Sequence, residues 1–250
     1  MITAQTIGTN GRLGNQMFQY AALHGIAKFH GFEYWSQGGR LFDVFEMGDA
    51  PREPKGKLPH RQIREETFEF DARYFTGMID DVDLWGYFQR DKYWEFCKDD
   101  IKSMCRFKEP ESEDYSSHCS LHIRRTDYLN SPEYHTNLGF DYYTRAIEEL
   151  QPRKVMVFSD DPSWCKANID KFLSNVDRVD FASDVCSNDI EELKAMTRCG
   201  SAIMANSTFS WWGAYLGPQQ RGERVIAPRN WFGKLGPNSR DIYLESWTLI

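Results

Sequence analysis

The stretch VMVFSDDPSWCKANI, residues 155–169, predicts the fold of its half of the chain. It opens on a run of apolar residues that suits a strand buried on both faces, and we place that strand over residues 155–159. Asp161 followed by Pro162 is a typical helix start, so a helix over residues 162–169 should follow. A buried strand that leads directly into a helix is the repeating unit of a parallel α/β sheet.

This alternation of strand and helix continues on both sides of that stretch. Strands that alternate with helices indicate a parallel sheet whose two faces are covered by helices. In such a sheet, ligands bind at the carboxyl ends of the strands. The further predicted strands are 120–124, 179–182, 202–205 and 225–227, and the further predicted helices are 142–150, 189–198 and 209–216.

The first half of the chain has a less regular pattern. Residues 109–118 are polar and contain a proline, which indicates a linker. We therefore predict two domains, residues 1–117 and 118–250. The last residues of the second domain could pack back on the first domain. The predicted elements of the first half are strands over 2–7 and 83–88, helices over 17–29 and 93–104, and loops with short elements over 36–66.

The composition of the chain excludes several classes of protein. Apolar residues make up 41% and charged residues 27% of the 250 residues, so a disordered chain is excluded. The net charge of −7 disfavours a general nucleic-acid binder, and the positive charge for an anionic ligand must be supplied locally. Aromatic residues reach 15%, which is typical of a surface that contacts a sugar or a base.

No segment has the pattern of a membrane span or a secretory signal. The longest uncharged stretch, residues 199–220, contains too many polar residues to cross a bilayer. The first residues lack a basic segment followed by an apolar one. The six cysteines form no CxxC pair, which favours free thiols in a reducing compartment. We therefore expect a cytoplasmic protein.

Polar clusters follow three of the predicted strands. They are RRTD at residues 124–127, SDDP at residues 159–162 and NSTFSWWG at residues 206–213. Because the carboxyl ends of parallel strands meet at one edge of a sheet, these clusters predict a binding site at that edge. The alternative for any single cluster is an ordinary loop or helix cap, since Ser, Asp and Asn are common cap residues.

The residue types in these clusters suit a diphosphate. Ser207, Thr208 and Ser210 precede or begin a helix, and the N-terminus of a helix attracts anions. Arg124 can bind two phosphate oxygens at once. His122 alternates with Arg124 along the strand, so the two side chains share a face. Together these groups could neutralise a diphosphate without a metal.

Two pairs of aspartates are candidates for different roles. A carboxylate of Asp160 or Asp161 suits the N–H edge of guanine, and the alternative is a helix cap. Asp81 and Asp83 resemble the DxD pair that holds Mn²⁺ in some sugar-nucleotide enzymes, and the alternative is a solvated turn.

The segment GRLGNQ, residues 11–16, follows the first predicted strand and opens a helix. It fits neither the GxGxxG pattern nor the GxxxxGK[ST] pattern, which excludes the dinucleotide and P-loop interpretations. Its backbone and the amides of Asn15 and Gln16 could still contact a polar ligand.

Six segments carry a more specific pattern. They are NGRLGNQMFQYAA (10–22), WGYFQRDKY (85–93), HIRRTDY (122–128), FSDD (158–161), NSTFSWWGAYL (206–216) and VIAPRNWF (225–232). In this order they resemble the signature segments of the α-1,2-fucosyltransferases, which are family 11 of the glycosyltransferases. The resemblance covers nearly the whole chain, and HIRRTDY and NSTFSWWGAYL are its most specific segments.

The resemblance implies an enzyme that transfers L-fucose from GDP-β-L-fucose to the 2-hydroxyl of a β-galactoside. It implies inversion at the transferred carbon and no metal or other cofactor. It also implies a GT-B-like α/β fold with two Rossmann-like halves and a parallel sheet in the C-terminal half. The first domain would be mainly acceptor-side, and the second would bind the GDP-sugar.

The resemblance further implies roles for individual residues. Arg124 matches an arginine that binds pyrophosphate, and His122 with one of the two neighbouring aspartates would contact guanine. The turn over residues 207–211 would cradle phosphate, and residues 14–16 would lie at the cleft between the domains. The candidate donor-binding residues are Gly14, Asn15, Gln16, His122, Arg124, Arg125, Asp160, Asp161, Asn206, Ser207, Thr208, Ser210 and Trp211, and the candidate catalytic residues are Arg124 and Asp127.

Several alternatives stay open at this point. Asp127 lies one short turn past Arg124 and is our candidate base, but it could instead pair with Arg125. The Trp211–Trp212 pair could stack on a sugar or pack the helix against the sheet. The enzyme could use a different acceptor, such as a protein hydroxyl or another glycan, and an inactive glycan- or nucleotide-binding relative is the rival from another class.

Overall fold

The computed structural model describes residues 1–109, 113–173 and 175–250. The chain forms two compact units, which we call unit 1 and unit 2. Unit 1 consists of Met1–Glu109 and the short segment Asn238–Leu244, and unit 2 consists of Pro110–Pro237 and Glu245–Ile250. Part of the linker predicted over residues 109–118, namely residues 110–112, lies outside the described residues.

Unit 1 is built on a parallel sheet. Its strands, in the described part of the chain, are β1 (Ile2–Thr3), β2 (Tyr34–Trp35), β3 (Gln62–Arg64) and β4 (Val82–Trp85), in the spatial order β2-β1-β4-β3. The helices are α1 (Leu13–His30), α2 (Leu41–Val44), α3 (Arg73–Thr76) and α4 (Lys98–Met104), with short 3-10 turns at Asp91–Tyr93 and Glu95–Cys97.

Helix α1 forms the core of unit 1. Nearly all of its side chains from Leu13 to Ala27 are buried, because other parts of the unit cover it on most sides. The helix ends at Gly31, whose φ of 69° is a left-handed conformation that glycine adopts without strain. Gly25 lets the chain at Tyr93 approach closely, since a Cβ on Gly25 would lie 2.1 Å from the Tyr93 carbonyl oxygen.

Unit 2 is built on a second, larger sheet, and every strand pair in it is parallel. The spatial order of its described strands is β10-β9-β8-β5-β6-β7. They are β5 (Cys119–Ile123), β6 (Lys154–Ser159), β7 (Arg178–Phe181), β8 (Ser201–Ile203), β9 (Val225–Ala227) and β10 (Thr248–Leu249). The helices are α5 (Thr126–Leu129), α6 (Phe140–Leu150), α7 (Pro162–Asn168), α8 (Asp189–Arg198) and α9 (Thr208–Leu216).

The alternation of side chains along β6 divides the core of unit 2 into two layers. Val155 and Val157 belong to a cluster that includes Tyr143 of α6, and Met156 and Phe158 belong to a cluster that includes residues of α8. Because both faces of the central strands are covered, these strands read in sequence as continuous apolar runs. The predicted α/β class with a parallel sheet is therefore confirmed.

The predicted elements of unit 2 are confirmed to within two residues at each end, from the strand at 119–123 to the strand at 225–227. Two short elements were not predicted, the helix over 126–129 and the last strand over 248–249. A helix of one turn and a strand of two residues are too short to give a periodic signal.

The predictions for unit 1 are less accurate. The strand predicted over 2–7 ends at Thr3, because the backbone then turns and the N–H of Ile7 binds the carbonyl of Ala4. The strand predicted over 83–88 ends at Trp85, and Phe88 has a φ of 51°, which an extended strand excludes. The helix predicted over 93–104 is α-helical only in its second half. The loops with short elements predicted over 36–66 are confirmed, since α2 and β3 lie there.

Gly25→Ala tests the close contact between α1 and the chain at Tyr93. The new methyl group must displace backbone rather than a flexible side chain, and overpacking of this kind costs about 1–3 kcal/mol or more. We expect the free energy of unfolding in urea to fall by at least that amount. Gly77→Ala is the matched control, because its Cβ would lie 3.7 Å from the nearest atom. Equal stability of the two variants would contradict the contact.

Candidate functional site

The carboxyl ends of three neighbouring strands bring the polar clusters of unit 2 together. Strand β5 lies between β6 and β8, and Arg124 follows it directly. Asp160 follows β6, and its carboxylate reaches Arg124. The hydroxyl of Tyr128 donates to the carbonyl of Asn206, which lies beyond β8, at 2.9 Å. The clusters that the sequence predicted at one edge of the sheet therefore contact one another.

The side chain of Arg124 lies between two carboxylates. Its Nη2 donates to Oδ1 of Asp127 at 2.6 Å, and its Nη1 lies 3.2 Å from Oδ2 of Asp160. The guanidinium carbon lies 5.3 Å from the centre of the Tyr128 ring, and 14% of the side chain is exposed. The guanidinium is thus fixed in place with part of its surface open to a ligand.

Both aspartates that follow β6 accept hydrogen bonds from their neighbours. Oδ1 of Asp160 accepts the backbone N–H of Arg125 at 2.9 Å, and Oδ2 accepts the hydroxyl of Thr126. Oδ1 of Asp161 caps α7 by accepting the N–H of Trp164 at 3.1 Å. Oδ2 of Asp161 lies 3.3 Å from Nε of Arg125, whose guanidinium stacks over the Trp164 ring at 3.6 Å. Both oxygens of each carboxylate therefore already have a partner within the protein.

His122 is buried at the end of β5. Its Nδ1 has no hydrogen-bond partner among the described residues, and the ring centre lies 6.1 Å from that of Phe209 in α9. Burial, followed by the positive charge of Arg124, lowers the pKa of His122 to about 3. The imidazole is therefore neutral at pH 7, and its Nδ1 is a buried polar atom without a partner among the described residues.

The side chains at the start of α9 bind backbone groups of their own segment. The hydroxyl of Ser207 caps the helix by accepting the N–H of Phe209 at 3.3 Å. The hydroxyl of Ser210 donates to the carbonyls of Ala205 and Ser207, at 3.0 and 3.1 Å. These bonds fix the turn before the helix, so an anion here would be bound mainly by backbone N–H groups and the helix dipole.

Asn206 and Trp211 have structural roles on either side of this turn. The Asn206 amide donates to the carbonyls of Thr136 and Trp231 at 2.9 and 2.8 Å. Trp211 is fully buried and packs against Trp212, whose ring centre lies 5.0 Å away. Of the two roles considered for the tryptophan pair, the structure favours packing of α9. Thr208 is the first residue of this helix and is partly exposed.

The remaining predicted residues lie in unit 1, at the start of α1. Gly14 is buried in its first turn. Oδ1 of Asn15 accepts a hydrogen bond from Nε2 of Gln89 at 2.9 Å. Nε2 of Gln16 donates to the carbonyl of Gly11 at 3.1 Å, while its buried Oε1 has no partner within the described residues. The turn that precedes the helix is thus fixed by amide side chains.

The DxD pair is not arranged as a metal site. Asp83 is buried in β4, where its Oδ1 accepts bonds from the Thr3 hydroxyl and the Gln5 N–H, both at 2.8 Å. Gln62 donates to its other oxygen at 3.3 Å. Asp81 lies at an exposed position with a φ of 61°. The solvated turn therefore describes Asp81, whereas Asp83 joins three strands of unit 1.

A group of three potential metal ligands, His24, Cys97 and Asp100, lies elsewhere in unit 1. Both ring nitrogens of His24 have partners, the Tyr34 hydroxyl and Asp100 Oδ2, each at 2.9 Å. The ammonium group of Lys28 also binds Asp100. A cation would have to displace this ammonium group, so the cluster is better described as a hydrogen-bonded network.

Glu192 and His135 are candidate functional residues that were not predicted from the sequence. Glu192 lies near the start of α8, and Asp160 acts on it electrostatically. Burial, followed by the negative charges of Asp189 and Asp160, raises the pKa of Glu192 to about 7. His135 follows α5 and stacks on Tyr128, with 4.1 Å between the ring centres. In sequence, Glu192 resembles a solvated helix face and His135 lies in a polar loop, so neither gives a local signal.

The comparisons with known proteins agree with one another. The profile of glycosyl transferase family 11 matches residues 64–250. An α-1,2-colitosyltransferase of Escherichia coli is 28% identical over 96% of this chain and 96% of its own length. An O-antigen biosynthesis glycosyltransferase of Escherichia coli is 36% identical over 51% of this chain, but that stretch is only 43% of its length. A galactoside α-(1,2)-fucosyltransferase of Mus musculus is 25% identical over 84% of this chain and 67% of its own.

Among the described residues, none of the helices has both the length and the apolar character that a membrane span requires. All six cysteines are free thiols, and four of them are buried.

The neutral, buried state of His122 predicts how stability depends on pH. Its pKa falls from 6.5 to about 3 on folding, so the unfolded chain binds a proton that the native protein excludes. The free energy of unfolding is therefore not reduced by His122 above pH 6.5. Between pH 6.5 and 3 it falls by up to about 1.4 kcal/mol for each unit by which the pH drops. We expect His122→Gln to reduce the slope of unfolding free energy against pH by about one proton between pH 6.5 and 5.

Urea unfolding at a series of pH values measures this slope for each variant. His60→Gln removes an exposed histidine and is the control for the loss of a histidine as such. An unchanged slope in His122→Gln would show that His122 binds its proton equally well in both states.

Proposed function

The chain belongs to glycosyl transferase family 11, and we propose that it transfers L-fucose from GDP-β-L-fucose to the 2-hydroxyl of a β-galactoside. The observation that carries this proposal is the environment of Arg124. Its fixed and partly exposed guanidinium lies at the carboxyl ends of parallel strands, beside the segment that leads into α9. This arrangement suits the diphosphate of a sugar nucleotide.

In this proposal, Arg124 binds the β-phosphate with two parallel N–H···O bonds. Negative charge grows on that phosphate as the bond to the sugar breaks, and the arginine and the N-terminus of α9 stabilise it. These two groups would supply the positive charge that a metal supplies in other transferases. An acceptor hydroxyl that attacks from the opposite face of the sugar then inverts the anomeric centre.

The guanine base would be bound by His122 of β5 and Glu192 of α8, both of which feel the charge of Asp160. The buried Nδ1 of the neutral His122 has no partner among the described residues, and Glu192 adds a half-buried carboxylate. A carboxylate can accept both N1–H and the 2-amino group of guanine. Asp160 and Asp161 were predicted for this role from the sequence. Because their oxygens already accept bonds within the protein, we propose Glu192 as the main acceptor for the guanine edge.

We further propose that the two units correspond to the halves of a GT-B-like enzyme, with unit 2 for the donor and unit 1 mainly for the acceptor. Each unit has a parallel sheet of its own, which supports this division. The amides of Asn15 and Gln16, at the start of α1, stay predicted ligand-binding groups of unit 1.

A second candidate is transfer of colitose, a sugar that lacks one hydroxyl of fucose. The relative that is aligned over nearly its full length, 96% of both chains, is named for colitose. A GDP-linked colitose would differ from GDP-fucose only at the sugar, so the roles proposed for Arg124, His122 and Glu192 would apply to both. Parallel assays with GDP-linked fucose and GDP-linked colitose, each with a panel of β-galactosides, distinguish them by turnover.

Arg124→Lys tests the proposed phosphate contact. Lysine keeps the positive charge but cannot form the two parallel bonds, so we expect turnover to fall about 10²–10³-fold. GDP binding, measured by thermal shift with and without EDTA, should weaken much less than turnover and should not depend on the chelator. Arg145→Lys, on an exposed arginine of α6, is the control. Near-normal turnover in Arg124→Lys would contradict its role, and a chelator-sensitive shift would contradict the metal-free mechanism.

Glu192→Gln tests the proposed guanine contact. A charged hydrogen bond to the 2-amino group is worth about 1.5–3 kcal/mol, so we expect the preference of the wild type for GDP over inosine diphosphate to shrink about tenfold or more. In the wild type, GDP affinity should also fall as the pH drops below about 7, because Glu192 then gains a proton.

Glu191→Gln is the matched control for this experiment, since the new amide can still accept the Ser187 N–H that Glu191 accepts now. Calorimetric titration with both nucleotides measures the preference. Retention of the full preference for GDP in Glu192→Gln would exclude Glu192 from the guanine site.

A further inference from the structure

We propose that His135 is the general base that removes the proton from the acceptor hydroxyl, and that Asp127 stabilises the imidazolium that forms. This inference rests on the proposed function, because it concerns the acceptor side of the same transfer reaction.

The imidazole of His135 is held by aromatic side chains. It stacks on the Tyr128 ring with 4.1 Å between the ring centres and 7° between the planes. The edge of the Tyr134 ring lies against it, with 4.9 Å between the centres. The backbone at His135 pairs with Phe232 in an antiparallel bridge, and its N–H binds the Ser131 carbonyl at 2.9 Å. Packing of this kind holds the imidazole in one orientation, which proton transfer to a ring nitrogen requires.

His135 is close to the group that would bind the phosphate. The same Tyr128 ring contacts Arg124, whose guanidinium carbon lies 5.3 Å from the ring centre. The Tyr128 hydroxyl is in turn bound to the carbonyl of Asn206, just before α9. His135 and Arg124 therefore contact the same Tyr128 ring, and the charge of Arg124 acts on the imidazole.

The ring nitrogens of His135 are available for proton transfer. Within residues 1–109, 113–173 and 175–250 neither nitrogen has a hydrogen-bond partner, and the residue is half-buried. Burial lowers the pKa of His135, the negative charge of Asp127 counteracts this shift, and Arg124 adds to it. Lys234 on the neighbouring segment is exposed. The imidazole is thus neutral at pH 7 and has a free lone pair.

Asp127, the base predicted from the sequence, is less suited to this task by itself. Its Oδ1 is bound to Nη2 of Arg124 at 2.6 Å, so accepting a proton would break an ion pair. Asp127 instead favours the charged form of His135, which makes it a positioning residue for this base.

The step conserves atoms and charge. The acceptor O–H gives its proton to a ring nitrogen of His135, and the oxygen forms a bond to the anomeric carbon of the donor sugar. The bond between that carbon and the β-phosphate oxygen breaks, and GDP leaves with the bonding electrons beside Arg124. The imidazolium later returns its proton to water.

The test compares His135→Gln and His135→Ala with the wild type in transfer from the active GDP-sugar to its β-galactoside. We expect kcat to fall about 10²–10⁴-fold in both variants, with little change in GDP affinity by thermal shift. The acidic limb of the wild-type pH profile of kcat should disappear in His135→Gln. Added imidazole should restore part of the activity of His135→Ala. His60→Gln, which replaces an exposed histidine, controls for the substitution itself.

The outcomes separate this inference from the proposed function. If the wild type is active and kcat of His135→Gln falls by less than threefold, His135 is not the base. The proposed transferase activity then still holds. A large fall with an unchanged pH limb and no rescue by imidazole shows a structural role and also overturns it. A wild type that binds GDP but transfers neither fucose nor colitose overturns the proposed function and this inference together.

Discussion

The parallel register between β5 and β6 determines where the charged groups of unit 2 meet. His122 lies opposite Phe158 and Ile123 lies opposite Ser159, so the next residues along the two strands are Arg124 and Asp160. Their side chains reach each other at 3.2 Å because both strands end at the same level. A slip of one residue would point every side chain of a strand to the other face. The ion pair therefore depends on the apolar core beneath it.

The charge of Arg124 shows why this edge of the sheet suits a diphosphate although the whole chain is acidic. With a net charge of −7, long-range attraction does not bring an anion to the protein. The arginine is held between Asp127 and Asp160 and keeps a small exposed surface. The guanidinium has five N–H donors, so a diphosphate can bind those that the two carboxylates leave open and can also accept bonds from the backbone N–H groups at the start of α9. For binding of a diphosphate, the position of Arg124 and of the N–H groups of α9 thus matters more than the net charge of the chain.

The sequence predicts unit 2 better than unit 1 for a physical reason. Strands covered on both faces need continuous apolar runs, and helix starts need caps such as Asp161, so both leave a local signal. The two-residue strands of unit 1 leave none, and the turn at Phe88 depends on contacts distant in sequence. The arginines and aspartates of the site were predicted because they directly follow strands. Glu192 and His135 were missed because their environments are created only by folding.

The two missed residues divide the chemistry of the proposed reaction between the donor and the acceptor. Glu192 is half-buried beside Asp160, and it serves guanine only when it is ionised, which its raised pKa makes sensitive to pH near 7. His135 is clamped by aromatic rings near Arg124 and acts only when it is neutral. Both groups lose their function as protons are added, but one controls affinity for the nucleotide and the other controls turnover. Donor binding and catalysis therefore respond to acid through different residues, although both responses originate at the same edge of one sheet.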